Sequence, residues 1–562
     1  MHDLVIRGGT VVDGTGAPRR IADVAVDAGV ITAVGAGLAA GRREVDAHGL
    51  LVTPGFVDVH THYDGQATWD SYLTPSPWHG VTTAVFGNCG VGFAPVRRKD
   101  VPYLINLMQG VEDIPEVVLT EGVSFEWESF PQYLDYLDKM PRVIDIGTQV
   151  PHTALRFYVM GERGADHTAT PHPHEIDTMG QLLEQALAAG ALGFSTSRTF
   201  RHRSADGRYS PTFTAGNDEL MGLAGAMKRA GRGVIQANSD FGTGEYEALE
   251  GMARLSGRPL SFLVAQMSTA PGRWRELLAL VRQSRREQLA VTAQVSCRPI
   301  GVLMGLETTM NPFRAQPAWL RMEHLSPRQR FERLTADAAL REELVSSAVP
   351  DPLMERVLSQ LPRACVTQGI DYEPDPTQTL AHLAQTSGRS VREIALDVMM
   401  SEDGKGLLLL PYENYHDGNL DAVHEMLADE ASILGLSDAG AHLGVICDAS
   451  APTLLLTHWT RDRTRGPKFP LEWAVHKQTQ VGAAAMGLSD RGALVAGLKA
   501  DINVIDYDAL TLLRPEVVYD LPAGGRRLIQ RAKGYRHVFV RGVEVVADDE
   551  FTGQMPGQLI RG

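Results

Sequence analysis

The chain has 562 residues, 44% hydrophobic and 22% charged, the balance of a soluble globular protein with one large domain and a smaller companion. A formal net charge of -15 with no basic stripe excludes a nucleic-acid partner, and no apolar run reaches the roughly 18 residues that a membrane span needs. Cys89, Cys297, Cys365 and Cys447 are too scattered for a zinc knuckle, a dithiol motif or a disulfide framework. The N-terminus lacks a signal pattern, so the expected compartment is cytoplasmic.

Residues 3–35 read as short β segments: Leu4-Val5-Ile6, Val11-Val12, Val24-Ala25-Val26 and Val30-Ile31, with a turn at Asp27-Ala28-Gly29. The C-terminal end returns to this style at 502–505, 538–540 and 543–546. The expectation is one small β domain built from 1–53 and 490–562, around a central unit spanning 54–489. There, strand candidates fall at 50–60, 81–87, 143–151, 190–196, 233–238, 260–267, 289–297 and 432–438. Helical patterns at 175–189, 218–229, 245–256 and 274–285 lie between them. Eight strands alternating with helices predict a (β/α)8 TIM-type barrel, an α/β fold. The rival, a doubly wound open sheet, would carry a G-x-G-x-x-G turn, which Gly87-Asn88-Cys89-Gly90-Val91-Gly92 does not match. The long segment at about 298–430 separates strands seven and eight and should hold its own helices. Its Met304, Leu306, Met310, Phe313 and Trp319 fit either a private core or an apolar pocket wall.

Barrel active sites lie at the C-terminal ends of the strands. Strand one ends in His60-Thr61-His62, and an i, i+2 spacing on a strand turns both imidazoles to one face, as a divalent metal requires. A lone His-x-His is more readily a surface pair, but here a buried-type strand with a Pro54-Gly55 entry precedes it and reverses that reading. Strand eight ends in Asp438 after an apolar run. A carboxylate there is either a helix N-cap or a metal ligand that also serves as general base toward the attacking water. Cys89, flanked by glycine two residues before it and directly after it, is either an inert buried thiol or a thiolate ligand. Other polar strand ends are Ser195, Thr196 and Ser197 on strand four, and Gln294 and Cys297 on strand seven.

Pro54-Gly55-Phe56-Val57-Asp58-Val59-His60-Thr61-His62 resembles the first metal-binding strand of the amidohydrolase superfamily. The runs 80–90 and 191–199 resemble the N-acyl-D-amino-acid deacylases (D-aminoacylases), and Gly497-Leu498-Lys499-Ala500-Asp501-Ile502 resembles the superfamily's composite β-sandwich. The resemblance implies metal-assisted hydrolysis of an N-acyl amide of a small-molecule substrate. It also implies histidine ligands on strands five and six, where this chain instead has Asn238 and Gln266. Many binuclear relatives carry a bridging carbamylated lysine on strand four; here no lysine occurs between Lys139 and Lys228.

The resulting expectation is one zinc ion held by His60, His62, Cys89 and Asp438, with Asp438 as the catalytic base. His152 is expected to hydrogen-bond the polarised carbonyl, Asn238, Gln266 and His442 to contact substrate, and Arg198, with Arg201 and Arg203 beside it, to clamp a substrate carboxylate. The alternatives are cleavage of a different amide, carbamate or cyclic amide, or a metal-free binding protein on the same fold. Assembly into a homo-oligomer is left open.

Overall fold

The computed structural model describes residues 1–348, 352–367 and 371–562. Eight parallel strands form one sheet in chain order. They are β1 (Phe56–Asp58), β2 (Val81–Phe86), β3 (Asp145–Pro151), β4 (Gly193–Arg198), β5 (Val234–Ser239), β6 (Leu260–Leu263), β7 (Val291–Val295) and β8 (Ser432–Leu434). β8 pairs with β7, and the ring closes just beyond the regular strands, where Thr61 and Ala439 form a parallel bridge. Every residue of β1, β2, β3 and β4 is buried, as strands of a parallel sheet covered on both faces are. The four clearest helices span Pro173–Ala189, Asn217–Ala230, Glu245–Ser256 and Arg273–Arg286, each within two residues of its predicted bounds.

The first predicted strand, 50–60, is in fact two. Leu51–Pro54 pairs with Ile502–Ile505 in the terminal sheet, and only Phe56–Asp58 enters the barrel. Gly55 is the joint: a Cβ there would lie 2.1 Å from Thr82 Oγ1, so the crossing from sheet to barrel tolerates no side chain. The terminal strands form one continuous nine-stranded sheet branching at His2–Val11, which pairs with strands on both sides and with an unpredicted strand at Gly41–Asp46. Leu4, Ile6, Val24, Ile502, Val504 and Phe539 bury together beneath it.

Between β7 and β8 lies a three-stranded sheet (Ile300–Met304, Leu408–Glu413 and Cys365–Val366) with surrounding helices. Met304, Leu306, Phe313 and Trp319 are buried in a core of this segment's own residues, with Met310 packed against it. All four cysteines are buried and free. No helix among the described residues is long and apolar enough to cross a membrane.

Candidate metal centre

β1 delivers its histidines just past its last regular residue, at the C-terminal mouth of the barrel. His60 and His62 are both buried, with ring centroids 5.4 Å apart and planes at 64°. His60 Nδ1–H donates to Gln294 Oε1 at 2.6 Å, and the amide is oriented by Gln294 Nε2–H donating to Ser261 Oγ at 2.9 Å. That fixes the tautomer, leaving the His60 Nε2 lone pair facing inward. Burial pulls His60 down to about 4, so the ring is neutral and ligand-ready.

Cys89 arrives on a turn locked by its neighbours. Its N–H donates to Gln236 Oε1 at 2.7 Å, and Gly90 N–H donates to Ser195 Oγ at 3.0 Å. Asn88 Nδ2 donates to Thr61 O at 3.1 Å and accepts at Oδ1 from Gln149 Nε2 at 2.8 Å. A side chain at Gly90 would meet Ser197 N at 2.8 Å, so glycine is what lets this turn lie against β4. The result places Cys89 Sγ 3.4 Å from His60 Nε2. One donor atom each from His60, His62 and Cys89 lies within 4.8 Å of the others.

Asp438 closes the group from β8. Its Oδ1 is 3.5 Å from His60 Nε2 and 3.6 Å from His62 Nε2, and its N–H donates to His60 O at 3.2 Å. Burial pushes this carboxyl up, but the close His62 imidazole and the neighbouring His60 and His442 rings outweigh it and hold it at about 2. Asp438 Oδ1 is buried without a hydrogen-bond partner. An orphaned carboxylate oxygen beside two imidazoles and a thiol is the donor set of a divalent cation, so these residues fit a metal. Burial pushes the Cys89 thiol up to about 11, so cation binding there releases a proton. Cys89, Asp438 and His442 all hold left-handed φ values of 55°, 46° and 50°. Such conformations cost on the order of 1 kcal/mol or more each and persist where surrounding structure enforces them, as at functional sites.

The remaining predicted residues divide. Asn238 faces the centre, its Nδ2 3.9 Å from Cys89 Sγ and 3.4 Å from His202 Nε2. His442 is 35% exposed at its side chain and lies on the open side, its Nε2 3.8 Å from Glu112 Oε2. Gln266 is engaged elsewhere, its Nε2 donating to Asp417 at 2.8 Å and its Oε1 accepting from His416 N–H at 3.2 Å. Both ring nitrogens of His152 are taken, by Thr196 Oγ1 at 2.9 Å and Glu219 Oε1 at 3.1 Å, in a buried cluster with Arg156. Arg198 forms a two-point pair with Glu245, Arg201 pairs with Glu413, and Arg203 stacks on Tyr209. The three arginines are thus held by partners within the chain rather than gathered at the metal residues.

Two residues of the centre were not anticipated. His202, in the loop after β4, is half-buried with Nδ1 2.8 Å from Ser197 Oγ, and desolvation pulls it down to about 3. Its position between two arginines in the sequence resembles a solvated loop. Glu112, the last residue of the helix Val101–Glu112, is 2% exposed and sets Oε1 3.4 Å from His62 Nδ1.

The amidohydrolase family profile matches residues 43–546. A D-aminoacylase of Alcaligenes xylosoxydans xylosoxydans is 29% identical, with 99% of this chain and 97% of the relative aligned. A solved D-aminoacylase described by its binuclear metal centre, with one-metal activation and second-metal attenuation, superposes with a TM-score of 0.66 at 27% identity over 100% of both chains. An N-acyl-D-glutamate deacylase of Bordetella bronchiseptica, solved with zinc and a phosphonate mimic of the tetrahedral intermediate, gives 0.66 at 25% identity over 100% of both. With histidines, a cysteine and an aspartate converging at the mouth of a parallel barrel and the profile covering nearly the whole chain, this protein belongs to the amidohydrolase family and is a hydrolase of amide C–N bonds.

Proposed function

We propose that the chain hydrolyses N-acyl-D-amino acids with one divalent ion, zinc, held by His60, His62, Cys89 and Asp438. The observation carrying this reading is the convergence of His60, His62 and Cys89 donors within 4.8 Å, with Asp438 Oδ1 3.5 Å from His60. The D-amino-acid substrate class rests on the similarity to D-aminoacylase and N-acyl-D-glutamate deacylase. Two imidazoles and a thiolate suit zinc better than magnesium or calcium, which take oxygen ligands. Asn238 offers only an amide where an imidazole would bind, which favours a single ion; the relative's one-metal activation accords with this.

When bound, the ion polarises the amide carbonyl and provides a nucleophilic water at neutral pH. The chain's own residues do the rest. Asp438, ionised at neutral pH, takes the proton of the attacking water and delivers it to the leaving amine nitrogen. His60, His62 and Cys89 would hold the ion, and Asp438 would both help to hold it and carry the proton. His442 and Asn238 contact the substrate on the open side. Four buried free thiols suit a reducing, cytoplasmic compartment. The test is hydrolysis of paired N-acetyl-D- and N-acetyl-L-amino acids by the purified chain. Cleavage of the D series by at least tenfold in preference is the expected result, and cleavage of neither series contradicts the substrate class.

A further inference from the structure

Glu112 sits where a carboxylate is costly. It ends the helix Val101–Glu112, so its charge adds to the negative end of the helix dipole. It is 2% exposed, and among the described residues no lysine or arginine pairs with it. Its only charged-type partners are two imidazoles, one per oxygen: His62 Nδ1 at 3.4 Å from Oε1 and His442 Nε2 at 3.8 Å from Oε2. The His442 N–H also donates to the Glu112 carbonyl, pinning the loop after β8 to this helix end. Both His62 Nδ1 and Glu112 Oε1 are buried without a hydrogen-bond partner, so the 3.4 Å contact between them is the polar neighbour each has. A buried anion with no strong cation is unfavourable for stability, which points to a use at the site.

We infer that Glu112 is a positioning residue that orients His62 through Nδ1, presents its Nε2 to the metal and ties that ring to His442. A carboxylate accepting from the far nitrogen fixes the tautomer of a ligand imidazole and raises its basicity, and loss of such a partner typically weakens metal affinity roughly 10–100-fold. The same carboxylate joins the ligand ring to the substrate-facing ring, so one deletion should disturb both metal and substrate binding. This inference rests on the metal reading proposed above.

The experiment is zinc affinity of the full chain, stripped and then titrated in competition with a chromogenic chelator, for the wild type, Glu112→Gln and Glu112→Ala. Gln keeps the shape and an oxygen facing His62 Nδ1, so its affinity should fall about tenfold or less, and Ala should fall toward 100-fold. With cobalt in place of zinc, the visible spectrum of Glu112→Ala should shift, because His62 is no longer held. Thermal stability is read in parallel, since a merely structural role would lower it and leave zinc affinity unchanged. Wild-type zinc binding with unaltered affinity in both variants overturns this inference alone. A wild type that binds no zinc overturns the metal reading and this inference with it.

Discussion

At the scale of single residues, Asp438 carries the heaviest assignment. Asp438→Asn keeps the shape and removes the base, so turnover should fall by roughly 100-fold or more, the usual contribution of a general acid–base group. Steady-state rates on an N-acetyl-D-amino acid check this, and near-normal turnover would move the proton to another group. Asn238 and Gln266 separate two roles. Asn238 faces Cys89 and His202, so Asn238→Ala should raise KM or lower kcat while the ion stays bound. Gln266 holds Asp417 and the backbone at His416, so Gln266→Ala should act mainly on thermal stability. Metal per chain in both variants decides the matter: loss of the ion from either would make that amide a ligand. The pair His60/His62, the Cys89 turn and Asp438 were readable because each is announced locally, by a strand end, a glycine or an apolar run. Glu112 and His202 were not, because what singles them out is a partner distant in sequence. Gln294, 234 residues from the imidazole it orients, shows the same limit.

At the scale of elements, the barrel strands were legible because short β-branched or apolar stretches recur between helical patterns and Gly or Pro breaks, although β4 (Gly193–Arg198) is largely polar. Their ends were less so, since β1 and the strand before it read as a single run until the joint at Gly55. The segment between β7 and β8 was legible as an insertion by its length, and its packing shows what its apolar residues do. Phe313 and Trp319 lie in its own core, so Phe313→Ala or Trp319→Ala should cost about 3–5 kcal/mol, readable by denaturant titration. An ion-pair network ties this segment to the barrel: Arg463, beyond β8, holds Glu373 by two contacts of 2.9 Å, and His458 adds one at 3.0 Å. Burial pushes Glu373 up, but the hydrogen bonds from Arg463 and His458 outweigh it and hold it at about 2. A carboxyl with a lowered folded value contributes stability above its unfolded value, and that contribution is lost as pH falls from about 4 toward 2. The loss should be on the order of 3 kcal/mol. Glu373→Gln should be less stable than the wild type at pH 7 and show a flatter decline in acid; parallel acid slopes in the two proteins would contradict this.

At the scale of the whole molecule, the chain's two ends meet in one sheet, and Leu51–Pro54 runs directly from that sheet into β1 and its histidines. The segment that leads to His60 and His62 is therefore anchored at its start by pairing with the C-terminal Ile502–Ile505, and at its end by the Thr61–Ala439 bridge to the loop after β8. Repetition made the fold readable: alternating strands and helices name a barrel from pattern alone. The centre was only partly readable, because its long-range contacts depend on how several strand ends and a helix terminus converge. The most direct test of the account is the rate of N-acetyl-D-amino-acid hydrolysis during stepwise zinc return to exhaustively chelated protein, with metal per chain measured at each step. The account predicts no activity in the stripped protein and full activity at about one zinc per chain. Full activity with the metal verified absent would contradict it.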